Sequence, residues 1–303
     1  MTNITHKQSS LRKAIATATV TVSKQETIDA IQNNTVPKGN VFEFARAAGL
    51  LAIKKTSDLI PDCHPLPVEY AAITYEIVNL SLIISVEVHT VYKTGVEVEA
   101  MHGASLTALT IYDMLKPIDK AVEISSIKLV EKKGGKTDYN NHLSTPLKTA
   151  VIVCSDSIAA GSKQDFAGKA IIEKLKQLQI AVDQYSIIPD ETTTIQLMAR
   201  TLCSEGFDLV LFTGGTGLSP RDVTPEAIKP LLDREVPGIM EAARNYGQSR
   251  MPYAMLSRGI AGFIKKTLVL TLPGSTKGAA ETMDALFPAV LHIFKVAKGM
   301  RHD

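Results

Sequence analysis

Apolar and polar positions follow one pattern in the first part of the chain and another in the last part. The change falls at Lys132-Lys133-Gly134-Gly135-Lys136-Thr137-Asp138-Tyr139-Asn140-Asn141-His142-Leu143-Ser144-Thr145-Pro146-Leu147-Lys148. This stretch is rich in Gly, Asn, Lys and Pro and has little to bury, which predicts a connection between separately packed units. The expected division is 1–138, a linker over 139–146, and 147–303.

In the first part, Ala14 to Val22 is small and β-branched and predicts a strand. Ser23-Lys24-Gln25-Glu26 has the S-x-x-E spacing of a capping box, so a short helix through Ile28 and Ile31 should follow. Asn40, with Glu43 three residues on, predicts a second helix from Val41 to about Leu59, with Val41, Phe44, Ala45, Ala48, Leu51 and Ala52 at its inward spacing. Pro61-Asp62-Cys63-His64-Pro65-Leu66-Pro67 is a stiff, proline-bracketed loop. Strict alternation over 69–79 and 81–92 predicts a hairpin. A helical pattern runs from about Glu99 to Lys116, stopped by Pro117, with Glu97 in the segment leading into it. A strand over 121–131 closes the half. Mixed order with antiparallel pairing gives an α+β sandwich.

The second part has another rhythm. Thr149–Cys154 is a short continuous apolar run, as a strand buried on both faces requires. Ala167–Gln179 reads as an amphipathic helix with Ile171, Ile172, Leu175 and Leu178 inward. Strands over 181–188, 207–212 and 267–272 alternate with helices over 192–204, 225–232, 238–246 and 277–298. That alternation predicts an α/β parallel sheet with helices on both faces and ligands beyond the carboxyl ends of its strands.

Composition narrows the picture. The 303 residues carry 33 basic and 31 acidic side chains, a net charge of +2, so no broad basic face for nucleic acid is expected. Three cysteines without a C-x-x-C pair point to a reducing compartment, and the cytoplasm is the expected location. The start of the chain lacks an apolar leader core, and no apolar run approaches the ~20 residues that span a bilayer.

Candidate chemistry gathers in two places. In the first half, the helix carries Glu99 and Asp113 about 40° apart around its axis at ~100° per residue, with Lys116 one turn on. His64 in its rigid loop and lysines at Lys38, Lys116, Lys132 and Lys136 add to this group and weigh toward a functional site. A solvated helix face with an i,i+3 pair is the plain alternative. In the second half, three strand ends carry Pro189-Asp190-Glu191, Thr213-Gly214-Gly215-Thr216-Gly217 with Arg221-Asp222, and Pro273-Gly274-Ser275-Thr276-Lys277-Gly278. One such loop reads as a tight turn, with Asp222 as a helix cap. Three on one sheet edge, two of them with aspartates, point to a phosphate and metal site.

These motifs carry two resemblances. "KGNVFEFARAAGLLAIKKTSDLIPDCHPL", "KTGVEVEAMHGASLTALTIYDMLK" and "EKKGGK" resemble cyclic pyranopterin monophosphate synthases of the MoaC type over residues 12 to about 138. The resemblance implies conversion of 3′,8-cyclo-7,8-dihydroguanosine 5′-triphosphate to cyclic pyranopterin monophosphate with release of pyrophosphate, and no cofactor. It implies catalysis by Asp113 and Lys116, and substrate binding by Arg12, Lys38, Asp62, Cys63, His64, Glu97, Val98, Glu99 and Lys132. Asp62 and Val98 stand where the family usually has leucine and methionine.

"CSDSIAAG", "IPDE", "TGGTGLSPRDVTPEAIKPLLDREVPGI" and "LPGSTKG" are similar to the MogA/MoaB molybdopterin-binding family over about 147–299. That similarity implies adenylylation of molybdopterin with Mg²⁺ and ATP. Asp190 and Asp222 are then catalytic and metal-binding, and Ser155, Asp156, Gly214, Gly215, Gly217, Gly274, Ser275 and Lys277 hold the ligand. Here Ser157 replaces the usual arginine of "SDR", and Ala167-Gly168 replaces "SG". Together the resemblances imply a bifunctional, homo-oligomeric enzyme of molybdenum cofactor synthesis. The alternative for the second half is a pterin-holding module without catalysis. A nucleotide-binding regulator is disfavoured by the lack of a P-loop or a G-x-G-x-x-G motif.

Overall fold

The computed structural model describes residues 1–135, 138, 146–297 and 299. The expected linker, apart from Pro146, and Lys136 lie outside the described residues. The chain forms two compact units, Met1–Asp138 and Tyr139–Asp303.

In the first unit, strand β1 (Ser10–Thr21) is followed by helices α1 (Gln25–Gln32), α2 (Val41–Lys54) and α3 (Thr56–Leu59). Then come β2 (Tyr70–Val78), β3 (Ser81–Tyr92), helix α4 (Glu97–Leu115) and β4 (Glu123–Lys133). The strands form an antiparallel sheet in the order β2-β3-β1-β4. Alternation along β1 sends Ala14, Ala16, Ala18 and Val20 into the core, where they meet α4. Glycines allow α2 and α4 to approach closely. A Cβ at Gly49 would stand 2.2 Å from Thr107 Oγ1, and one at Gly103 2.6 Å from Ile53 Cγ1.

Several local expectations are corrected. The Ser23 hydroxyl does not cap α1; its Oγ and backbone N–H both donate to the buried carboxylate of Asp119 (2.7 and 2.8 Å). A tertiary acceptor outcompetes the local box. Asn40 does cap α2, accepting from the Glu43 N–H at 3.0 Å, but the helix ends at Lys54 rather than Leu59. Thr56 Oγ1 there bonds back to the carbonyls of Ala52 and Ile53. Phe44 and Leu51 are exposed on α2, because the crossing with α4 is made through the Ala45 and Gly49 side.

The second unit starts with β5 (Thr149–Cys154), α5 (Asp156–Ala159), α6 (Ala167–Gln177), β6 (Gln184–Ile188) and α7 (Thr192–Ser204). Strand β7 (Leu209–Thr213), α8 (Thr224–Ile228), β8 (Arg234–Glu235) and α9 (Pro237–Gln248) follow. The unit ends with β9 (Ala261–Ile264), β10 (Thr267–Leu272), α10 (Thr276–Leu286) and α11 (Ile293–Val296). The sheet order is β6-β5-β7-β10-β9-β8. The four strands β6, β5, β7 and β10 are parallel, as expected for an α/β parallel sheet, and the short β9 and β8 extend it antiparallel. These two short strands carry no periodicity long enough to read.

Both faces of the sheet are covered. Val151, Leu211 and Leu270 pack toward α6, α9 and α10, while Ile152, Val210 and Phe212 pack toward α7 and α8. The long closing helix is interrupted after Leu286, where Pro288 cannot supply a backbone N–H. No helix among the described residues is long and apolar enough to cross a membrane.

Candidate active sites

In the first unit the expected residues form two groups on one helix. Helix α4 starts at Glu97, so Glu97 belongs to its first turn rather than to a segment before it. Beside it, Glu99 is 2% exposed and accepts the Cys63 thiol proton (Sγ to Oε1, 3.4 Å). Burial raises the Glu99 carboxyl above its ordinary value, and burial with the Glu99 charge pushes the Cys63 thiol up to about 11. Cys63 is therefore a neutral hydrogen-bond donor here.

Glu97 behaves differently. Burial opposes its ionisation, but the Lys132 ammonium at 2.8 Å holds its carboxyl below the ordinary value. Each glutamate keeps one buried oxygen, Oε2, without a hydrogen-bond partner among the described residues. Arg12 joins this group from β1, donating to the carbonyls of Tyr92 (3.2 Å) and Lys93 (3.4 Å). Val98 is exposed between the glutamates. Asp62 pairs with the Met1 amino group (2.7 Å), and His64 Nε2 meets the Thr2 carbonyl (2.7 Å).

Asp113 lies at the other end. Fourteen residues beyond Glu99, at 1.5 Å rise per residue, it is about 21 Å along the helix axis. The small angle between the two positions did not bring them together, because angular coincidence says nothing about axial distance. Asp113 is gripped by Lys38 (2.6 Å) and Lys116 (2.7 Å). Hydrogen bonds from Lys116 and Lys38 lower its carboxyl to about 2.

In the second unit the strand-end loops converge. Asp156, after β5, and Asp190, after β6, cross-link: the Asp156 N–H donates to Asp190 Oδ2 (3.1 Å) and the Asp190 N–H to Asp156 Oδ1 (3.0 Å). Arg221 adds a forked contact to Asp156 Oδ2 (Nε 2.9 Å, NH2 2.5 Å), which lowers the Asp156 carboxyl. Burial, together with the charges of Asp156 and Asp222, raises that of Asp190. The second Asp190 oxygen, Oδ1, and Thr224 Oγ1 are buried without a hydrogen-bond partner among the described residues.

Both of those oxygens press on Gly215, where a Cβ would stand 2.9 and 2.3 Å from them. Gly214 and Gly215 have φ of +101° and +62°, which favours glycine. Asp222 does not cap α8. Its Oδ2 accepts the Ser219 N–H (2.8 Å) within its own loop, and it stands close to Gly217.

The remaining residues flank this centre. Ser155 caps α5, accepting from the Ile158 N–H at 3.4 Å, and Ser275 caps α10, accepting from Gly278 at 3.2 Å. Gly274 abuts Gly214. Ser275 and Lys277 line a cavity of about 250 Å³ with Arg244, Tyr253 and Glu281. Arg221 and Thr224 were not expected to contribute. Their signal was adjacency to Asp222 in one motif, whereas Arg244 and Tyr253 had no local pattern.

Comparison with known proteins adds the following. Residues 1–135 match the MoaC family, and residues 150–292 match a probable molybdopterin binding domain. The chain is 40% identical over 302 residues to a molybdenum cofactor biosynthesis bifunctional protein of Chlorobaculum tepidum, covering 100% of this chain and 96% of that protein. Over 139 residues it is 48% identical to the cyclic pyranopterin monophosphate synthase of Pelobacter propionicus, covering 45% of this chain and 86% of that protein. The crystal structure of the molybdopterin biosynthesis enzyme MoaB from Thermus thermophilus superposes with a TM-score of 0.49 at 42% identity, over 52% of this chain and 99% of the other.

Proposed function

Because this chain belongs to the bifunctional proteins of molybdenum cofactor biosynthesis, we propose that its two units catalyse two separate steps of that synthesis. The first unit converts 3′,8-cyclo-7,8-dihydroguanosine 5′-triphosphate to cyclic pyranopterin monophosphate and pyrophosphate. The observation that carries this assignment is Asp113 held between two lysine ammonium groups. Asp113 stays ionised at neutral pH, so it accepts and returns protons only with Lys116 and Lys38 as charged partners. The same lysines, with Arg12 and Lys132, supply fixed positive charge for a triphosphate. Buried Glu99, with Cys63, offers a dry polar wall for the base of the nucleotide.

A single copy keeps the Glu99 group and the Asp113 group about 21 Å apart along α4. One substrate therefore spans both only when a second copy brings its Asp113 end to the first copy's Glu99 end, and the functional form is a homo-oligomer.

The second unit adenylylates molybdopterin. Asp156 and Asp190 touch at the strand ends, with Arg221 paired to Asp156, and the charge of Asp222 is felt at Asp190. No three carboxylates among the described residues are grouped as a complete metal cage, but Asp190 Oδ1, buried without a hydrogen-bond partner among them, is a free acceptor, and Asp190 and Asp222 would hold Mg²⁺ together with nucleotide phosphates. When bound, the ion offsets phosphate charge during adenylyl transfer. The protein's own part is positional: the Gly214–Gly217 backbone admits a phosphate at close range, and Lys277 faces the adjoining cavity.

The test assays the full chain for both reactions. Asp113→Ala should abolish cyclic pyranopterin formation alone, and Asp222→Ala should lower ATP-dependent formation of adenylylated molybdopterin alone to a small but measurable residual rate. Normal turnover in either variant overturns the corresponding assignment. Pterin binding by the native chain without adenylylation would leave the second unit as a holding module.

A further inference from the structure

Arg258 stands outside the motifs that carry the two sites, in the segment just before β9, yet its contacts converge on one of them. Its Nε donates to the Gly217 carbonyl (2.7 Å) and NH2 to the Asp222 carbonyl (2.6 Å), while NH1 pairs with the Glu226 carboxylate. Its backbone N–H donates to the Thr216 carbonyl at 3.1 Å. Gly217 and Asp222 are the two ends of the loop that presents the Asp222 carboxylate.

The base of the loop is closed by the Thr224 N–H donating to the Gly215 carbonyl (3.1 Å), and Arg221 ties its middle to Asp156 (Nε to Oδ2, 2.9 Å), but neither contact joins Gly217 to Asp222. Inside it, the Asp222 N–H donates to the Ser219 carbonyl (2.9 Å), and Asp222 Oδ2 accepts from the Ser219 N–H (2.8 Å). Those contacts set the local turn but do not reach back to Gly217. Gly217 offers no side chain as an anchor, and a Cβ there would stand 2.9 Å from Asp222 Oδ2. A planar guanidinium with donors in a fixed fork bridges two carbonyls at a set separation; an ammonium, as a point charge on a flexible stem, does not. Glu226 meets the charge of Arg258, so the arginine need not draw the Asp222 carboxylate toward itself.

We propose that Arg258 is a positioning residue for adenylyl transfer: by bridging the Gly217 and Asp222 carbonyls it fixes the loop whose carboxylate faces Asp190. This rests on the reading of the second unit as an adenylyltransferase. A misplacement of about 1 Å at a reacting group is enough to cost on the order of 10²-fold in rate.

The experiment compares Arg258→Ala and Arg258→Lys in the full chain by amide hydrogen exchange and by adenylylation kinetics. In Arg258→Ala, exchange in peptides covering 214–224 should rise about tenfold or more, while peptides from β7 and β10 keep native protection. The kcat should fall by about 10- to 100-fold with the pterin KM within about 2-fold. Arg258→Lys should recover little of this, since it keeps the charge but loses the fork. Asp222→Ala/Arg258→Ala should be no slower than Asp222→Ala alone, because a residue acting through Asp222 has nothing left to position.

Unchanged exchange over 214–224, losses that multiply in the double variant, or protection lost across the whole sheet would each overturn the proposal. If the native chain forms no adenylylated product, the functional reading fails by itself. The exchange result still decides whether Arg258 orders the loop.

Discussion

Asp156 and Asp190 each accept the other's backbone N–H, at 3.0 and 3.1 Å, so the ends of β5 and β6 are stitched together by two carboxylates. Such an arrangement places like charges side by side, and it persists because Arg221 neutralises Asp156. Asp156→Ala should therefore do two things. It leaves the Asp190 N–H without its acceptor, which should lower the urea midpoint of the second unit. It also frees Arg221 and leaves Asp190 held by the residue-156 N–H alone, so adenylylation should fall by about tenfold or more. Urea titration and initial rates check both; native values for the pair would show the stitch to be idle.

Gly214→Ala should damage the second unit more than a typical loop substitution. Its φ of +101° and the Cys154 carbonyl oxygen 2.1 Å from an added Cβ leave no accommodation without moving β5. A loss of about 2 kcal/mol or more is expected from backbone strain and overlap together. Thermal unfolding measures it, and a shift within error would mean that the loop relaxes freely.

Separation of Glu99 from Asp113 predicts complementation between chains. Glu99→Gln and Asp113→Asn should each be inactive as synthases, and co-assembled chains should regain a fraction of activity, since some pairings then carry one intact composite site. No recovery from mixed oligomers verified by differential tagging would argue that each copy works alone.

Asp113 should titrate near 2, because its hydrogen bonds to Lys116 and Lys38 favour the charged form. A carboxyl depressed in the folded state contributes stabilisation that is fully present above its ordinary value near 4 and is lost as pH falls toward about 2. The acidic limb of synthase activity should therefore not belong to Asp113. Carbon-detected NMR reads the midpoint directly, and Lys116→Met should move it upward; a midpoint at the ordinary value would remove the two-lysine grip from the argument.

Asp119 is a structural counterpart in the same unit, 3% exposed and accepting from the Ser23 N–H and hydroxyl, the Thr27 hydroxyl and the Ala121 N–H. Asp119→Ala leaves the buried Thr27 hydroxyl and the more exposed Ser23 and Ala121 donors without their acceptor and should cost about 1–3 kcal/mol, seen as a lower unfolding midpoint of the first unit. Synthase activity at low temperature should be retained by the folded fraction.

By itself the sequence determined the element types and the groups of reactive residues near one another along the chain. Alternation in β1 to β3, the continuous run of β5 and the Asn40 cap are local, set by side-chain period and by backbone donors a few residues away. Thus Asp190, Asp222 and Gly214–Gly217 were recognisable at strand ends. Tertiary structure alone decided which of them touch. The Ser23 hydroxyl went to Asp119, ninety-six residues distant, Arg258 crossed to Gly217 and Asp222, and Glu99 and Asp113 parted along one helix. A helical angle can be counted from residue numbers, but burial, axial distance and the partner of a long polar side chain depend on how separate elements pack, and no local spacing encodes them.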